Sequence, residues 1–361
     1  MRGCRGCAGH DLRRVLDLGA MPAADDFPPA DAPVSIDETR HLLAMDLCAR
    51  CGLAQLAEDD TVTAEPRGVE PQVLRDQAAD AVDKAADAGW LNGKTVREFG
   101  SPHGGSWLGL LAQRGFTEVA DGVADVVLDC FGIMHEPDQR AAFAQRAAAT
   151  SPGGVLLLQY HALESIVAGG QWNALRHGHF AYYSRAALDR LLAEAGMAIE
   201  ASWTFDLYGG TELVAALHRS PGRAEYTGRD SRLDTELVAG ALQRAADTQV
   251  AALRAWLQEC RRARQRVYAY GAASRAVALF AMAGLDRELI AAVADASPAK
   301  QNRRMPGTDV AIISPQALVG ADPDAVLLTV PDLLTEVASR LPELDGRWVD
   351  MDTLIGPAGL R

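Results

Sequence analysis

Four of the six cysteines stand in two CxxC pairs, Cys4 with Cys7 and Cys48 with Cys51. A CxxC turn points two thiolates at one spot, and two such turns complete a tetrahedral zinc site. Arg5, Gly6, Arg50 and Gly52 beside them suit tight turns and anionic sulfurs. Four sulfurs leave no coordination position for water, so the zinc is expected to be structural, stapling a small module with little core of its own. Cys130 and Cys260 have no partner motif and read as buried small hydrophobes.

Two further segments could do chemistry. Gly100-Ser-Pro-His-Gly-Gly105 follows an expected strand, Thr95–Phe99, and opens a helix near Ser106. Strand, glycine-rich turn and helix form the opening unit of a nucleotide-binding α/β domain. Near the C-terminus, Gly271-Ala-Ala-Ser-Arg275 links a strand at 267–270 to a helix at 276–283. The next strand, 290–294, ends at Asp295, where a dinucleotide fingerprint would put its ribose-binding carboxylate. Ala272, Ala273 and Ser274 replace the later glycines, which favours close strand–helix packing over a cofactor site. In the loop Ser297–Gly307, Lys300, Arg303 and Arg304 are either phosphate ligands or a solvated basic surface.

The elements that position these residues follow from periodicity. Val73, Leu74, Ala78, Ala81 and Ala85 predict a helix over 73–92. Strands are expected at 125–130, 155–160, 199–205 and 212–217, and helices at 141–149 and 185–196, with a turn at Ser151–Gly154. Residues 231–264 read as one long amphipathic helix or two, connecting domains. The expected organisation is α/β: a zinc-binding module over 1–64, a middle domain over 65–220, a helical connector over 221–265 and a Rossmann-like α/β domain over 266–361. The net charge of −13 argues against a general affinity for nucleic acid or anionic membrane. With 48% apolar and 23% charged residues the chain has a globular composition, not a disordered one. No apolar run has the length of a membrane span or signal peptide, and the cytoplasm is the expected location.

Taken together the motifs resemble the sugar C-methyltransferases of antibiotic deoxysugar pathways. CRGC…LGAMPAADDF…CARCGLAQL looks like that family's zinc module, and VREFGSPHGGSWLGLL resembles its methyltransferase motif, E-[IF]-G-S-N-D-G. QWNALRHGHFAYYS is similar to the sugar-site motif, in which Y-H-E-H precedes an aromatic pair and Ser; FDLYGGTEL resembles the HGGSLR strand. YGAASRAVAL…VADASPAKQNRRMPGTDVAI matches the C-terminal YGA-x-x-K-G…D-x-x-P-x-K-Q-G…PG segment. The resemblance implies a zinc module, a class I methyltransferase-like domain and a Rossmann-like domain, acting on a small-molecule substrate, a nucleotide-linked 4-keto sugar. A base removes the proton beside the carbonyl and the enolate attacks the methyl of S-adenosylmethionine. The resemblance implies that His179 is the base, a task for which the imidazole pKa is suited. Glu98, Gly100 and Gly105 would then hold the cofactor.

Departures from the family pattern bear on both halves of that reaction. Too few residues separate Gly100 from Asp125 for the usual two strands with their helices, so the methyltransferase-like domain is expected to be truncated. What remains, 115–122, can supply at most one vestigial strand, with Glu118 or Asp121 as a ribose partner and no shelf for adenine. Pro102 and His103 stand in place of Asn and Asp, and no binding of S-adenosylmethionine is expected. In the sugar motif Arg176 replaces Tyr and Gly178 replaces Glu, while His177, His179, Tyr183 and Ser184 match. Arg275 replaces Lys in the C-terminal motif.

Three functions are compatible with these residues. The first is an enzyme that retains proton abstraction beside a carbonyl and has lost methyl transfer, giving epimerisation, isomerisation, elimination or ring closure. In it His179 is the base, Arg176 or Tyr183 stabilises the oxyanion, and His103 and His161 are further acid–base candidates. The second is a working methyltransferase with a compressed cofactor site. The third is a non-catalytic partner of an active homologue.

Overall fold

The computed structural model describes residues 3–35, 38, 40–59, 61, 69–102, 105–219 and 235–355. After the first cysteine knuckle, β1 (Leu12–Pro22), β2 (Arg40–Cys48) and β3 (Ala54–Leu56) form an antiparallel meander. The second knuckle closes the turn between β2 and β3, where Gly52 takes a φ of 75°. That left-handed geometry is open to glycine without a Cβ clash.

The middle domain contains α1 (Gln72–Asp87), β4 (Thr95–Phe99), α2 (Leu108–Ala112), β5 (Thr117–Glu118), β6 (Ala124–Cys130) and α3 (Gln139–Ala149). It continues through β7 (Thr150–His161), α4 (Leu163–Ala168), β8 (Ala181–Tyr182), α5 (Arg185–Glu194), β9 (Met197–Phe205) and β10 (Thr211–His218). Its sheet has the order β5-β4-β6-β7-β10-β9. The first four strands are parallel, and β10 runs antiparallel to both neighbours. Val126, Val127 and Leu128 on β6 and Leu156, Leu157 and Leu158 on β7 are fully buried. Unbroken apolar runs are what a central strand covered on both faces requires. Each such side chain contributes about 1.5–3 kcal/mol.

Three boundaries differ from expectation. The first helix stops at Asp87 because Gly89, at a φ of 78°, reverses the chain. Ser151–Gly154, expected as a turn, is absorbed into β7 beside an irregularity in its register with β6. The strand expected over 290–294 is only Val293–Ala294.

Domain borders are crossed in two places. β8, from the middle domain, pairs antiparallel with β3 and completes the zinc module's sheet, β1-β2-β3-β8. The amphipathic segment forms one helix, α6 (Thr235–Arg262). It packs on β1 and offers Gln249 to the Trp172 indole N–H at 2.8 Å.

The C-terminal domain holds β11 (Val267–Tyr270), α7 (Ser274–Ala283), β12 (Val293–Ala294), β13 (Ile312–Ile313), α8 (Pro315–Ala321) and β14 (Ala325–Leu328), then α9 (Leu334–Arg340), β15 (Trp348–Val349) and α10 (Met351–Ile355). Its sheet is wholly parallel, in the order β13-β12-β11-β14-β15. The strand order reverses beside β11, which makes it a doubly wound sheet. Among the described residues no helix is long and apolar enough to cross a membrane.

Candidate functional site

In open α/β sheets ligands settle beyond the carboxyl ends of the strands, where the strand order reverses. This molecule has two such points, and they face one another across a cavity of about 360 Å³. From the middle domain Ser101, Pro102 and Gly105 after β4 line it, with Cys130 and Phe131 at the end of β6. From the C-terminal domain come Gly271, Ser274 and Arg275 after β11, with Val330 and Asp332 after β14. The third wall is the segment carrying Arg176, His179 and Tyr182.

His179 is 4% exposed and lines the cavity. Its ring meets that of His135 edge-on, with centroids 4.4 Å apart. His135 Nδ1 lies 2.9 Å from the carbonyl oxygen of Gly178. A carbonyl only accepts, so Nδ1 carries the proton and Nε2 is the basic nitrogen of the neutral ring. Both rings line the cavity. Gly178 between the histidines has a φ of 78°, and its N–H donates to Asp59 at 2.7 Å. A glutamate there would be strained, so the departure from the family pattern has a backbone reason.

Alternation along the extended chain sorts the neighbouring candidates. Tyr182 faces the cavity, whereas Tyr183 is 1% exposed and turns into the core between the rings of Phe143 and Tyr160. Its hydroxyl donates to Gln139. Tyr183 is therefore placed away from the cavity, contrary to expectation. His177, 1% exposed, faces the zinc module, its ring 5.7 Å from that of His41. It too is absent from the cavity wall. His103 lies outside the described residues.

His161, at the end of β7, does line the cavity, and its pKa is pushed down to about 3. Burial is the larger cause, followed by the positive charges of Arg275 and Arg176, so the ring is neutral. Arg275 lies over the Tyr208 ring at 4.8 Å and 3.7 Å from Asp332. Phe131 and Tyr208 have φ of 61° and 54°. Two bulky left-handed residues on one cavity wall are local strain of the kind that collects at working sites.

Of the candidate cofactor and phosphate residues, Gly105, Arg275 and Lys300 line the cavity, whereas Glu98, Gly100, Arg303 and Arg304 do not. The Glu98 carboxylate accepts from the Ser106 hydroxyl at 2.6 Å and the Trp107 N–H at 2.7 Å, securing the turn into α2. Gly105, at a φ of 83°, lines the cavity, and Gly100 has open space on its side-chain side. β5 has two residues, both exposed, and neither Glu118 nor Asp121 lines the cavity. Asp295 has both carboxylate oxygens occupied by the N–H groups of Ala272 and Ser297, at 2.8 Å each. Lys300 Nζ donates to the Ala272 carbonyl at 3.0 Å. Arg303 bonds the Phe27 carbonyl, and Arg304, 2% exposed, bonds Glu38 and the carbonyls of Ala32, Pro33 and Thr308. These two arginines tie the zinc module to the C-terminal domain and are neither a free phosphate site nor a solvated surface.

The sulfurs of Cys4, Cys7, Cys48 and Cys51 all lie within 4.8 Å of one another, the nearest pairs at 3.5 and 3.7 Å. A tetrahedron with Zn–S bonds of about 2.3 Å has edges of about 3.8 Å. The cluster fits zinc, and these four residues would hold it.

Three family models match: a zinc binding domain over 4–65, a methyltransferase domain over 67–202 and a C-methyltransferase C-terminal domain over 227–350. The chain thus carries, in this order, the zinc binding, methyltransferase and C-methyltransferase C-terminal domains that these models describe. C-methyltransferase NovU of Streptomyces niveus is 26% identical, with 96% of this chain and 94% of that protein covered. That alignment runs over 409 positions against a chain of 361, so the relative holds residues that this C-methyltransferase homologue lacks. Solved structures that match part of the chain include magnesium protoporphyrin IX methyltransferase of Synechocystis PCC 6803 with bound SAH, 14% identical, covering 43% of this chain and 90% of its own, TM-score 0.30. The PH0226 protein of Pyrococcus horikoshii OT3 is 12% identical, covering 42% and 94%, TM-score 0.34.

His135, Gln171 and Tyr208 are cavity residues that the sequence analysis missed. Gln171 and Tyr208 lie within QWNALRHGHFAYYS and FDLYGGTEL without having been singled out there, and His135 stands in no recognisable motif. Only the approach of separate segments makes them neighbours of His179 and His161.

Proposed function

We propose that this protein is a natural-product enzyme that moves protons at the carbon beside a carbonyl and uses no S-adenosylmethionine. The observation that carries this reading is the contrast within one cavity. The His179–His135 pair lines the cavity, with His179 buried, while the edge that would carry ribose and adenine is reduced to an exposed two-residue β5. Two observations among the described residues speak against a cradle for that cofactor: Glu118 and Asp121 are off the cavity, and Glu98 is engaged locally.

In the proposed reaction, the proton beside the carbonyl passes to an imidazole of the pair, and the C–H electrons move onto the carbonyl oxygen. Arg176 stands by as a fixed cation for that oxygen, where a preorganised charge lowers the barrier most. Return of the proton to another face or carbon gives an epimer or isomer; expulsion of a neighbouring group gives elimination. A nucleotide-linked 4-keto-6-deoxy sugar is the substrate to try first. The zinc-loaded protein should exchange the hydrogen beside its carbonyl with solvent deuterium, without added cofactor. His179→Asn should slow exchange by about 10²–10⁴-fold. Exchange that requires S-adenosylmethionine, or micromolar binding of it in calorimetry, would sink the proposal.

A second reading, C-methylation of such a sugar, draws on Gly105 and Ser101 lining the same cavity and on the methyltransferase match over 67–202. A methylated product in the same assay would establish it.

A further inference from the structure

The cavity has a charged pole of which the proton-transfer reading uses only Arg176 and leaves Arg275 without a task. Arg176 hangs from the turn that carries His179, since the His179 N–H bonds the Arg176 carbonyl at 3.3 Å. Its guanidinium crosses to the C-terminal domain, where Nη1 donates to the Ser274 hydroxyl at 2.6 Å. Ser274 precedes Arg275, so the two guanidinium groups meet from opposite domains on one cavity wall. Their carboxylate supply is thin. Among the described residues no carboxylate lies within ion-pair distance of Arg176, and Asp332 approaches Arg275 only to 3.7 Å. Arg176 Nε is buried with no partner, and so is Nε2 of His161.

Ser274 also begins α7, ten residues long, whose N-terminus has no side-chain cap and no acid in its first turn. The positive end of the helix thus adds to the two arginines. Of the other cavity acids, Asp295 is engaged on two backbone N–H groups and Glu336 on Arg340 and on the start of α1, while Glu70 sits beside Gly105 on the middle-domain side.

We propose that Arg176 and Arg275 form a two-domain clamp for an oxyanion of the substrate, a carboxylate or a phosphate group, held one turn from His179. The substrate class is then an anionic keto compound. The proposal shares with the proposed function the cavity and Arg176, which here binds a group already anionic in the substrate, so anion binding does not depend on proton abstraction. A guanidinium fork matches either anion bidentately, and each charged hydrogen bond contributes about 1.5–3 kcal/mol.

The test is calorimetric titration of the full-length, zinc-loaded protein with 2-oxobutanoate and, separately, with inorganic pyrophosphate. At least one should bind once per chain, more weakly as salt rises. Arg176→Gln and Arg275→Gln should each weaken it roughly ten- to a hundredfold, with Arg261→Ala as the surface control. Should a glutamine variant fail to fold, judged by near-ultraviolet circular dichroism, the lysine variant takes its place; loss of the fork should still weaken binding. Binding of 2-oxobutanoate assigns the anion to a keto acid, and binding of pyrophosphate alone assigns it to a nucleotide-linked substrate. Absence of binding by both probes overturns the clamp, as does parent-like affinity in either arginine variant. His179→Asn should bind the anion normally, so a failed exchange assay with intact anion binding defeats the base assignment and leaves the clamp standing.

Discussion

His161 and His179 are both buried imidazoles, yet their surroundings set them different tasks. His161 is held neutral by burial and by Arg275 and Arg176, with a pKa of about 3. In the unfolded chain an ordinary histidine takes its proton near pH 6.5. Between those values the unfolded state binds a proton that the folded state refuses, so stability falls as pH drops from about 6.5 towards 3. The contribution is at most about 1.4 kcal/mol per pH unit. Urea unfolding at pH 7 and pH 5 should show this loss, and His161→Gln should shrink it. An unchanged pH slope in the variant would mean that other groups carry the acid sensitivity. His179 instead has a second imidazole, His135, beside it, the surroundings that the proposed proton transfer would use.

At the scale of elements, domain contacts are made by polar groups that finish each other's secondary structure. α1 has no side-chain cap of its own, and Glu336 on α9 accepts from the N–H groups of Gln72 and Val73 at its start. Removing a helix cap costs about 0.5–2 kcal/mol. Glu336→Ala should lower thermal stability by that amount. It should also loosen the cavity, whose walls α1 and α9 share through Leu74 and Glu336. The Arg304 clamp is more deeply buried, and Arg304→Ala leaves Glu38 and several carbonyls without their donor. A loss of about 3 kcal/mol or more is expected, measured by denaturant unfolding. Tolerance of Arg304→Ala would show that the loop after β1 docks by other means.

At the scale of the whole molecule, the zinc module is part of the site's foundation. β3, which follows the second cysteine knuckle, pairs Ala54 with Tyr182 and Gln55 with Ala181, three and two residues beyond His179. Asp59, just after β3, holds the Gly178 N–H. Zinc removal should therefore do more than unfold an appendage. Chelator treatment is expected to lower the melting temperature and to abolish anion binding and proton exchange together. Activity that survives with zinc gone, by metal analysis, would show that the module is dispensable to the site.

Much of this was legible in local sequence, because local spacing carries it. The paired CxxC motifs give the four-sulfur cluster, period and glycine placement give most strands and helices, and the short interval between Gly100 and Asp125 gives the vestigial β5. What local spacing does not carry is direction and distance between segments. Alternation in the chain after His179 sends Tyr182 to the cavity and Tyr183 to the core, and one residue of register decides between them. Arg303 and Arg304 look like an exposed basic loop until the loop after β1 folds over them. His135 has no motif and joins His179 only because the chain after β6 and the chain before β8 converge. Hydrogen-bond reach is a few ångströms, whereas these residues lie far apart along the chain, so only the tertiary structure could bring the two switch points, the two arginines and the two imidazoles around one cavity.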